Sequence, residues 1–317
     1  MKRLMILLLA LLLMYGCALG EAVVEDDEDD ILDLQMTEVV VPETTVVPTP
    51  VFEPIPWDLD VSPNPPIESC YMPDASGYHD ESLDIQVETF RTYDTTVMVV
   101  RVQLTDVSQF RTGMSTAYPH KKEVVVSTMA RKAKAVLAMN SDFFMYHDEG
   151  VAVRNGRIYR QIPRTHRDIL VVDWNGDFHI IERPTKEMWE PYKDQALHAF
   201  SFGPALVVDG VPMTDSSDVT LDLGKNKKTQ RIAIAQTGHL QYMIIATEGP
   251  ENKGSTGVTI VEMAQICAGL GCQNAYNLDG GSSSTVVLNN HKINSLSSGK
   301  IRPVGDCIWF ATLVPSK

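Results

Sequence analysis

Tight turns between short alternating strands are the feature that most constrains how this chain can fold. Asn155–Gly156 and Asn175–Gly176 each lie between runs in which apolar and polar residues alternate. Asn-Gly is the strongest short-range signal for a two-residue hairpin, because both turn positions take a positive φ angle. Asp209–Gly210 and Thr237–Gly238 stand in similar surroundings, and residues 284–294 form a further candidate hairpin. The sequence therefore predicts mainly antiparallel sheets.

Two segments have the pattern of helices instead. Residues 259–271 begin with Thr259 and Glu262 at capping-box spacing, continue with apolar residues at helical spacing, and reach Gly271, which suits a left-handed end. Residues 120–135 form a second candidate, although their valine run is unfavourable in a helix. We therefore expect a strand-rich α+β fold, with sheets built from hairpins and two or more packed helices, in a single domain over residues 67–317.

The first twenty residues have the composition of an export signal. Lys2 and Arg3 precede an apolar run, Leu4 to Met14, which is short for a membrane span but suits the core of a signal peptide. Two endings remain open, an ordinary cleavage site at residues 18–20 and a lipoprotein signal ending at Cys17. We expect an extracytoplasmic protein, secreted or lipid-anchored at the cell surface, whose contact with a membrane is limited to that anchor.

Residues 21–66 are predicted to form a disordered tether. Residues 21–60 hold 13 acidic residues and no Lys or Arg, together with many Pro, Thr and Val residues. Such a segment repels itself and stays extended, and an acidic binding tail is the alternative. The whole chain carries a net charge of −14, so the rest of it is close to neutral and has no basic stripe. A nucleic acid is therefore not an expected partner.

Four cysteines remain once Cys17 is assigned to the signal. Cys267 and Cys272 lie close in sequence, whereas Cys70 and Cys307 lie near opposite ends of the domain. In an exported protein this spacing allows one local disulfide and one bridge between the domain ends. Free buried cysteines are the alternative, because no spacing here fits a known metal site.

Several apolar strands end in polar residues. The chain lacks a G-x-S-x-G elbow, an HExxH motif and a P-loop. Instead, Asn140, Ser141 and Asp142 follow one apolar run, Arg231 precedes another, and Glu248 and Asp279 each end one. Polar side chains in such positions can converge at a sheet edge, where loops on a rigid scaffold often carry function.

These segments, taken in order, resemble a known family. "NSDFF", "FGPALVVDG", "RIAIA", "ATEG…STGVTIVEMA" and "NLDGGSSST" are similar in sequence and spacing to the phosphodiester glycosidase family, over roughly residues 90–315. The sequence departs from the family pattern at Ser141, Ala235 and Ser282, each in place of a glycine, at Ile232 in place of threonine, and at Glu248 in place of aspartate. A carboxylate remains at position 248, but the added side chains leave the identity of the substrate open.

The resemblance implies hydrolysis of a sugar 1-phosphodiester at the anomeric carbon. A phosphate ester leaves as a weakly basic anion, so a cation such as Arg231 matters more than a strong general acid. Glu248 and Asp279 are the expected carboxylate pair, and Asp142 is a reserve candidate. The expected substrate-binding residues are Asn140 for a sugar hydroxyl or acetamido group, Gly280 and Gly281 through backbone N–H groups, and Ser283 and Ser284 as further donors.

Other functions remain open at this point. A non-catalytic exported module that binds phosphate-linked surface glycans is the main alternative, and Ser141 and Ser282 favour it. A glycosidase for neutral sugars is a weaker one, because it leaves Arg231 unexplained. Asp142, Glu248 and Asp279 could together bind a divalent cation such as calcium or magnesium, so the metal requirement is unknown.

Overall fold

The computed structural model describes residues 64–216, 226–250, 252, 254–295 and 301–315. The predicted signal peptide (1–20) and most of the predicted tether (21–66) lie outside these ranges. Asn64, assigned to the tether, pairs with Thr312 and donates its Nδ2–H to the carbonyl of Leu313 over 2.9 Å. The folded body therefore begins before residue 67. Within the described ranges, no helix combines the length and apolar character needed to cross a membrane.

Short strands are the main regular structure of the described chain, with three short helices between them. The helices are α1 (Val126–Ala133), α2 (Lys186–Trp189) and α3 (Ile260–Gly269). The strands are β1 (Gly77–His79), β2 (Leu83–Thr92), β3 (Thr95–Leu104), β4 (Phe110–Met114), β5 (Leu137–Asn140), β6 (Gly150–Arg154), β7 (Arg157–Ile162), β8 (Ile169–Asp173), β9 (Phe178–Ile181), β10 (Ala196–Phe200), β11 (Ala205–Val208), β12 (Val211–Pro212), β13 (Ile232–Gly238), β14 (Gln241–Thr247), β15 (Asn274–Leu278), β16 (Val286–Leu288), β17 (His291–Lys292) and β18 (Asp306–Phe310).

The strands form three sheets. An eight-stranded sheet has the order β1-β2-β3-β14-β13-β15-β11-β12, and two five-stranded sheets have the orders β7-β6-β10-β8-β9 and β17-β16-β5-β18-β4. The described strand pairs are antiparallel, including β13 with β14 and with β15. The predicted strand-rich architecture with mainly antiparallel sheets is confirmed.

The observed turns follow the sequence signals except at Asn175–Gly176, where only Gly176 has a positive φ angle, and at Thr237–Gly238. Asn155 and Gly156, between β6 and β7, have φ angles of 51° and 78°, and Asp209 and Gly210, between β11 and β12, have 49° and 79°. The turn predicted at Thr237–Gly238 was placed too early, because β13 continues through Gly238, which pairs with Gln241. The left-handed residue there is Leu240, with φ 55°.

One large apolar core lies between the three sheets, and each helix covers an outer face. Leu137, Val172 and Ile244 contribute to this core from three different sheets. Along β13, Ile232 and Ile234 face it, whereas Ala233 and Ala235 face α3 in a second cluster. The eight-stranded sheet is therefore buried on both faces there, and its functional groups must lie at strand ends.

The two predicted helices have different outcomes. Helix α3 has the predicted capping box between Thr259 and Glu262, and Gly271 follows with φ 82°. The predicted helix over 120–135 is wrong at its beginning, because α1 starts at Val126. Val124 is extended and pairs with Val304, so the valine run extends the backbone before the helix begins.

The four cysteines of the domain are unpaired thiols in the structure. The local and end-to-end disulfides allowed by the spacing are therefore absent from this state. The Cys267 and Cys272 thiols are hydrogen-bonded to each other beside the end of α3, which raises the pKa of Cys267 and lowers that of Cys272.

Candidate active site

The start of β13 lies between the ends of β14 and β15 at one edge of the eight-stranded sheet. Ile232 pairs with Leu278 of β15 and with Ala246 of β14. One step outward, the Arg231 N–H donates to Thr247 Oγ1 over 2.9 Å. Antiparallel pairing therefore brings together three segments that are distant in sequence. The predicted site residues at this edge are Arg231, Glu248 and Asp279.

A pocket of about 230 Å³ opens at this edge. Asp279 is the only carboxylate among the described residues that line it. The lining residues are Phe202, Thr229, Gln230, Arg231, Asn277, Leu278, Asp279, Gly280 and Gly281. Four of the predicted site residues, Arg231, Asp279, Gly280 and Gly281, thus share one pocket.

Asp279 is a half-buried carboxylate with a perturbed proton affinity. Burial raises the pKa of its carboxyl group above the ordinary value, and the charge of Asp142 acts in the same direction. The neighbouring Ser283 hydroxyl and the charge of Arg302 oppose this shift. A carboxylate with a raised pKa binds a proton more readily than a solvated one, which suits a group that takes part in proton transfer.

Asn140 holds the Asp279 segment in place. Its Nδ2 donates to the Asp279 carbonyl over 2.7 Å, and its Oδ1 accepts from the Thr285 N–H over 3.0 Å. The Asn140 side chain has no exposed surface. The structure therefore shows Asn140 joining the end of β5 to the loop after β15, and its predicted contact with sugar stays a prediction.

Asp142 lies in a buried ion-pair network. Arg154 contacts its Oδ1 at 2.5 Å through a terminal guanidinium nitrogen and contacts Asp306 at 3.1 Å through Nε. The second Asp142 oxygen accepts from the Ser201 N–H over 2.9 Å. Burial raises the pKa of Asp306 to about 6, while Arg154 opposes that shift. Both Asp142 oxygens are thus engaged inside the protein. Asp142 therefore has a structural and electrostatic role in this arrangement.

Glu248 lines a different pocket, of about 220 Å³. Its Oε2 accepts from the Ser255 hydroxyl over 2.5 Å. Burial acts to raise the pKa of Glu248, but hydrogen bonds from nearby hydroxyl and amide side chains, Ser255 first, outweigh burial and lower it. Gln230, in the Asp279 pocket, donates to the carbonyl of Ser295, in the Glu248 pocket, over 2.8 Å. The two carboxylates predicted to act as a pair therefore line neighbouring pockets.

Arg231 is a buried cation held by backbone carbonyls. Its side chain donates from Nε to Val258 over 2.8 Å and from a terminal nitrogen to Lys227 over 3.0 Å. Burial lowers the pKa of Arg231 to about 10, so its guanidinium stays charged at neutral pH. The residue lines the Asp279 pocket while most of its surface is turned inward.

The glycine-serine segment after Asp279 packs closely against β13. A side chain at Gly280 would place its Cβ 2.8 Å from the Gln230 carbonyl oxygen, so glycine is required for this approach. The Gly281 N–H donates to the same carbonyl over 2.9 Å, with φ 58° at Gly281. This N–H is thus engaged within the protein and is unavailable to an anion in this conformation. The anion-binding site predicted from the backbone N–H groups of Gly280 and Gly281 therefore lacks the Gly281 donor.

Several buried polar atoms near Asp279 have no hydrogen-bond partner among the described residues. They include Asn277 Oδ1, Ser284 Oγ and Thr285 Oγ1. Asn277 lines the pocket, and its Nδ2 donates to the Gly203 carbonyl over 2.8 Å, so its Oδ1 remains as an acceptor. Unpartnered buried polar atoms are costly, and their concentration in one place is typical of a binding site. Ser283, a predicted donor, lies beside the Asp279 carboxylate.

Sequence reasoning missed Asn277, Phe143 and Arg302. Asn277 is a buried amide between apolar neighbours in β15, and a polar residue at such a strand position was the available signal. Arg302 lies outside every motif; its backbone N–H donates to the Ser282 carbonyl over 3.3 Å, a contact that only the fold reveals. Its guanidinium lies over the Phe143 ring, 5.3 Å from the ring centre.

Asp142, Glu248 and Asp279, considered above as possible ligands of a divalent cation, are not brought together in the described structure. In the part of the chain that the structure describes, no group of three or more His, Cys, Asp or Glu side chains is arranged to hold a metal ion. Asp142 is committed to Arg154, and Glu248 and Asp279 line different pockets. These three residues therefore do not fit a shared calcium or magnesium ion.

Comparison with solved structures identifies relatives of the fold. The catalytic domain of zebrafish N-acetylglucosamine-1-phosphodiester alpha-N-acetylglucosaminidase, auto-inhibited by its pro-peptide, has a TM-score of 0.58 at 14% identity, over 74% of this chain and 85% of that one. A hypothetical protein from Synechocystis has a TM-score of 0.51 at 16% identity, over 72% of this chain and 62% of that one. At these identities the similarity concerns the fold alone.

Comparison of sequences identifies the family. An uncharacterized SPbeta prophage-derived protein, YomE, of Bacillus subtilis strain 168 is 29% identical over 195 residues, which are 60% of this chain and 30% of the relative. The match thus spans less than a third of that protein's length. The family described as phosphodiester glycosidase matches residues 133–311, a region that includes Asp142, Arg231, Glu248 and Asp279. This protein belongs to the phosphodiester glycosidase family.

Proposed function

We propose that this protein is an exported hydrolase that cleaves sugar 1-phosphodiesters at the anomeric carbon. The observation that carries the proposal is Asp279, a half-buried carboxylate of raised pKa in a pocket shared with a charged arginine. Membership of the phosphodiester glycosidase family supports the reaction class. The apolar signal-like N-terminus supports export.

The chemistry of the leaving group explains how one pocket carboxylate suffices. When the bond between the anomeric carbon and its oxygen breaks, a phosphate monoester departs with the electron pair. That anion is weakly basic and needs no strong general acid. Asp279 then takes the proton from the water molecule that forms the new bond to the anomeric carbon. Its negative charge also stabilises the oxocarbenium character that develops there.

Buried polar atoms near the reaction centre suit the sugar. Asn277 lines the pocket, and its Oδ1 is a buried acceptor without a partner among the described residues, so it would receive a sugar hydroxyl or amide proton. Ser284 and Thr285 are buried hydroxyls that would gain partners by direct or water-mediated contact. Arg231 contributes a positive charge that favours an anionic substrate in the same pocket.

The proposal is tested with the purified full-length chain and the methyl diester of GlcNAc-1-phosphate. Release of free sugar and methyl phosphate, measured by phosphorus NMR with and without EDTA, is expected for the wild-type chain. The Asp279→Asn variant is expected to release neither product. Cleavage that yields GlcNAc-1-phosphate would place the broken bond on the other side of phosphorus and contradict the proposal.

The separation of Glu248 from the Asp279 pocket favours the binding module as the second candidate, because it leaves one carboxylate among the described residues that line the site. Calorimetry distinguishes the two functions. A folded wild-type chain that binds the diester, releases no product, and binds equally well as Asp279→Asn would be a glycan-binding module.

A further inference from the structure

Arg302 is an exposed cation beside the Asp279 pocket and has no part in the sequence motifs. We propose that Arg302 is the residue that binds the phosphate of the substrate, and that Phe143 holds its guanidinium in position for this contact. This inference rests on the proposed function, since it identifies the phosphate-binding group of that same site.

The buried arginine of the pocket is poorly placed for this task. The Arg231 side chain donates to the carbonyls of Val258 and Lys227, and only 3% of the residue's surface is exposed. A bidentate contact with phosphate needs two parallel N–H donors directed at the ligand. Arg231 directs Nε and one terminal nitrogen at the backbone instead. Its charge acts on the pocket, while two of its donors are already engaged by the backbone and little of its surface is open to a ligand.

Arg302 lies against the segment that follows Asp279, and an aromatic ring supports its guanidinium. Its backbone N–H donates to the Ser282 carbonyl over 3.3 Å, which fixes the residue against the segment that follows Asp279. Its guanidinium lies over the Phe143 ring at 5.3 Å from the ring centre. When the face of a guanidinium is stacked on an aromatic ring, its N–H donors along the edge remain available to an anion. The phosphate would bind at that edge.

Phe143 is itself fixed in an uncommon conformation. Its φ angle is 65°, in the left-handed region that a bulky residue rarely adopts. Its ring is stacked on Tyr146, with ring centres 4.3 Å apart. Strained backbone that the surrounding structure holds in place is concentrated at binding and catalytic sites. The aromatic pair thus forms a rigid support under the guanidinium.

Binding of phosphate at Arg302 would also change Asp279. The charge of Arg302 lowers the pKa of Asp279, against burial and the charge of Asp142, which raise it. The singly charged phosphodiester offsets the charge of Arg302, so the proton affinity of Asp279 increases when substrate is present. Asp279 would become a stronger base when its water molecule must be deprotonated.

The test compares Arg302→Gln and Arg302→Lys with Arg131→Gln, an exposed arginine on α1 that serves as a charge-matched control. Substrates are the methyl diester of GlcNAc-1-phosphate and a nitrophenyl GlcNAc glycoside, which has no phosphate. For the diester, we expect kcat/KM to fall about 10- to 100-fold in Arg302→Gln, the range of a charge-assisted hydrogen bond, and to be partly restored in Arg302→Lys. Any cleavage of the aryl glycoside and the behaviour of Arg131→Gln should stay close to wild type.

The pH profile gives a second readout. The acid limb of kcat/KM should lie at higher pH in Arg302→Gln, since the variant loses a charge that lowers the pKa of Asp279. Diester turnover that is unchanged in Arg302→Gln would overturn the inference. So would an equal loss on both substrates, because it would indicate a general defect.

Failure of the proposed function is recognised separately. If the wild-type chain cleaves no sugar phosphodiester, binding of GlcNAc-1-phosphate by calorimetry decides the inference. Weaker binding in Arg302→Gln than in wild type and Arg131→Gln would support the phosphate contact without catalysis. Equal binding in all three, or no binding to wild type, would overturn it.

Discussion

Asn140 donates its side-chain N–H to the main-chain carbonyl of Asp279 over 2.7 Å. Asn140 ends β5 and Asp279 follows β15, a strand of a different sheet, so this bond ties the candidate catalytic carboxylate to both sheets at once. The same amide accepts from Thr285, which closes the glycine-serine segment between them. The site therefore lies where two sheets meet, and its geometry depends on how they pack.

Asp279→Asn is expected to abolish turnover without loss of stability. Because the pKa of Asp279 is raised in the folded state, ionisation of this carboxyl group destabilises the fold. Its contribution to stability is full below the pKa of the unfolded chain and is lost as the pH rises through the pKa of the folded chain. Removing the charge should leave the melting temperature at pH 7 equal to or above that of wild type. Thermal melting from pH 4 to 8 measures this, with Asp209→Asn, an exposed turn residue, as control. A lower melting temperature would indicate a structural carboxylate.

Hydrolysis is expected to invert the anomeric configuration. Asp279 is the only carboxylate among the described residues lining the pocket, and its raised pKa suits a base that activates water. A retaining reaction would instead form a covalent bond between a carboxylate and the sugar. Proton NMR of the first product formed, before mutarotation, distinguishes the two. A product of retained configuration would assign Asp279 as the nucleophile.

Glu248→Gln is expected to keep most of the activity. Glu248 lines its own pocket, and its pKa is lowered because hydrogen bonds led by Ser255 outweigh burial. We expect kcat/KM within about threefold of wild type, and a small loss of stability at neutral pH that disappears as the pH falls through the folded-state pKa. Kinetics and urea unfolding measure the two effects. A loss of turnover equal to that of Asp279→Asn would restore the two-carboxylate mechanism.

Arg154→Gln is expected to destabilise the fold. Arg154 is buried between Asp142 and Asp306, and its removal leaves two buried carboxyl groups without their cation. Breaking such a pair costs about 3–5 kcal/mol in the free energy of unfolding. Arg157→Gln, at an exposed position in the adjacent strand, should change it by less than about 0.5 kcal/mol. Urea unfolding of both variants checks the difference, and similar values for the two would show that the network contributes little.

His198 is expected to make stability fall in acid. Burial lowers the pKa of His198 to about 3, and its ring accepts from the Asn155 N–H while contacting the Phe110 carbonyl. An unfolded histidine binds a proton near pH 6.5, so the contribution of His198 is full above that pH and decreases as the pH falls from about 6.5 to about 3. The slope is about 1.4 kcal/mol per pH unit.

The contribution of His198 is isolated by comparing wild type with His198→Gln, because Asp306, with a pKa raised to about 6, has the opposite dependence. Unfolding free energies of the two chains should converge as the pH falls. A constant difference across that range would show that His198 does not titrate between the folded and unfolded states.

Local patterns in the sequence predicted local structure well. The capping box of Thr259 and Glu262 identified α3, because the hydrogen bonds that begin a helix involve residues three apart. The predicted start of α1 was too early despite the unfavourable valines, since the partner that extends Val124 is Val304, far away in sequence. Propensity contains no information about such a partner.

The candidate site was likewise predictable where local strand patterns determine it, and not where distant residues meet. Asp279 and Arg231 were identified because each borders a strand, and antiparallel pairing brings the end of one strand to the start of the next. Whether Glu248 joins them depends on which pocket its side chain lines, and Gln230 and Ser295, which meet between the pockets, lie far apart in sequence. Arg302 lies far along the chain from Phe143, and only the fold brings them together.

Gly280 makes the geometry of the site independent of the side chains around it. Its close approach to the Gln230 carbonyl fixes the separation of β13 and β15 through main-chain atoms, with no side chain between them. Substitutions elsewhere in the lining, at Phe202 or Asn277, can therefore reshape the cavity for a different ligand while Arg231 and Asp279 keep their spacing. New specificities can evolve on such a frame without rebuilding it.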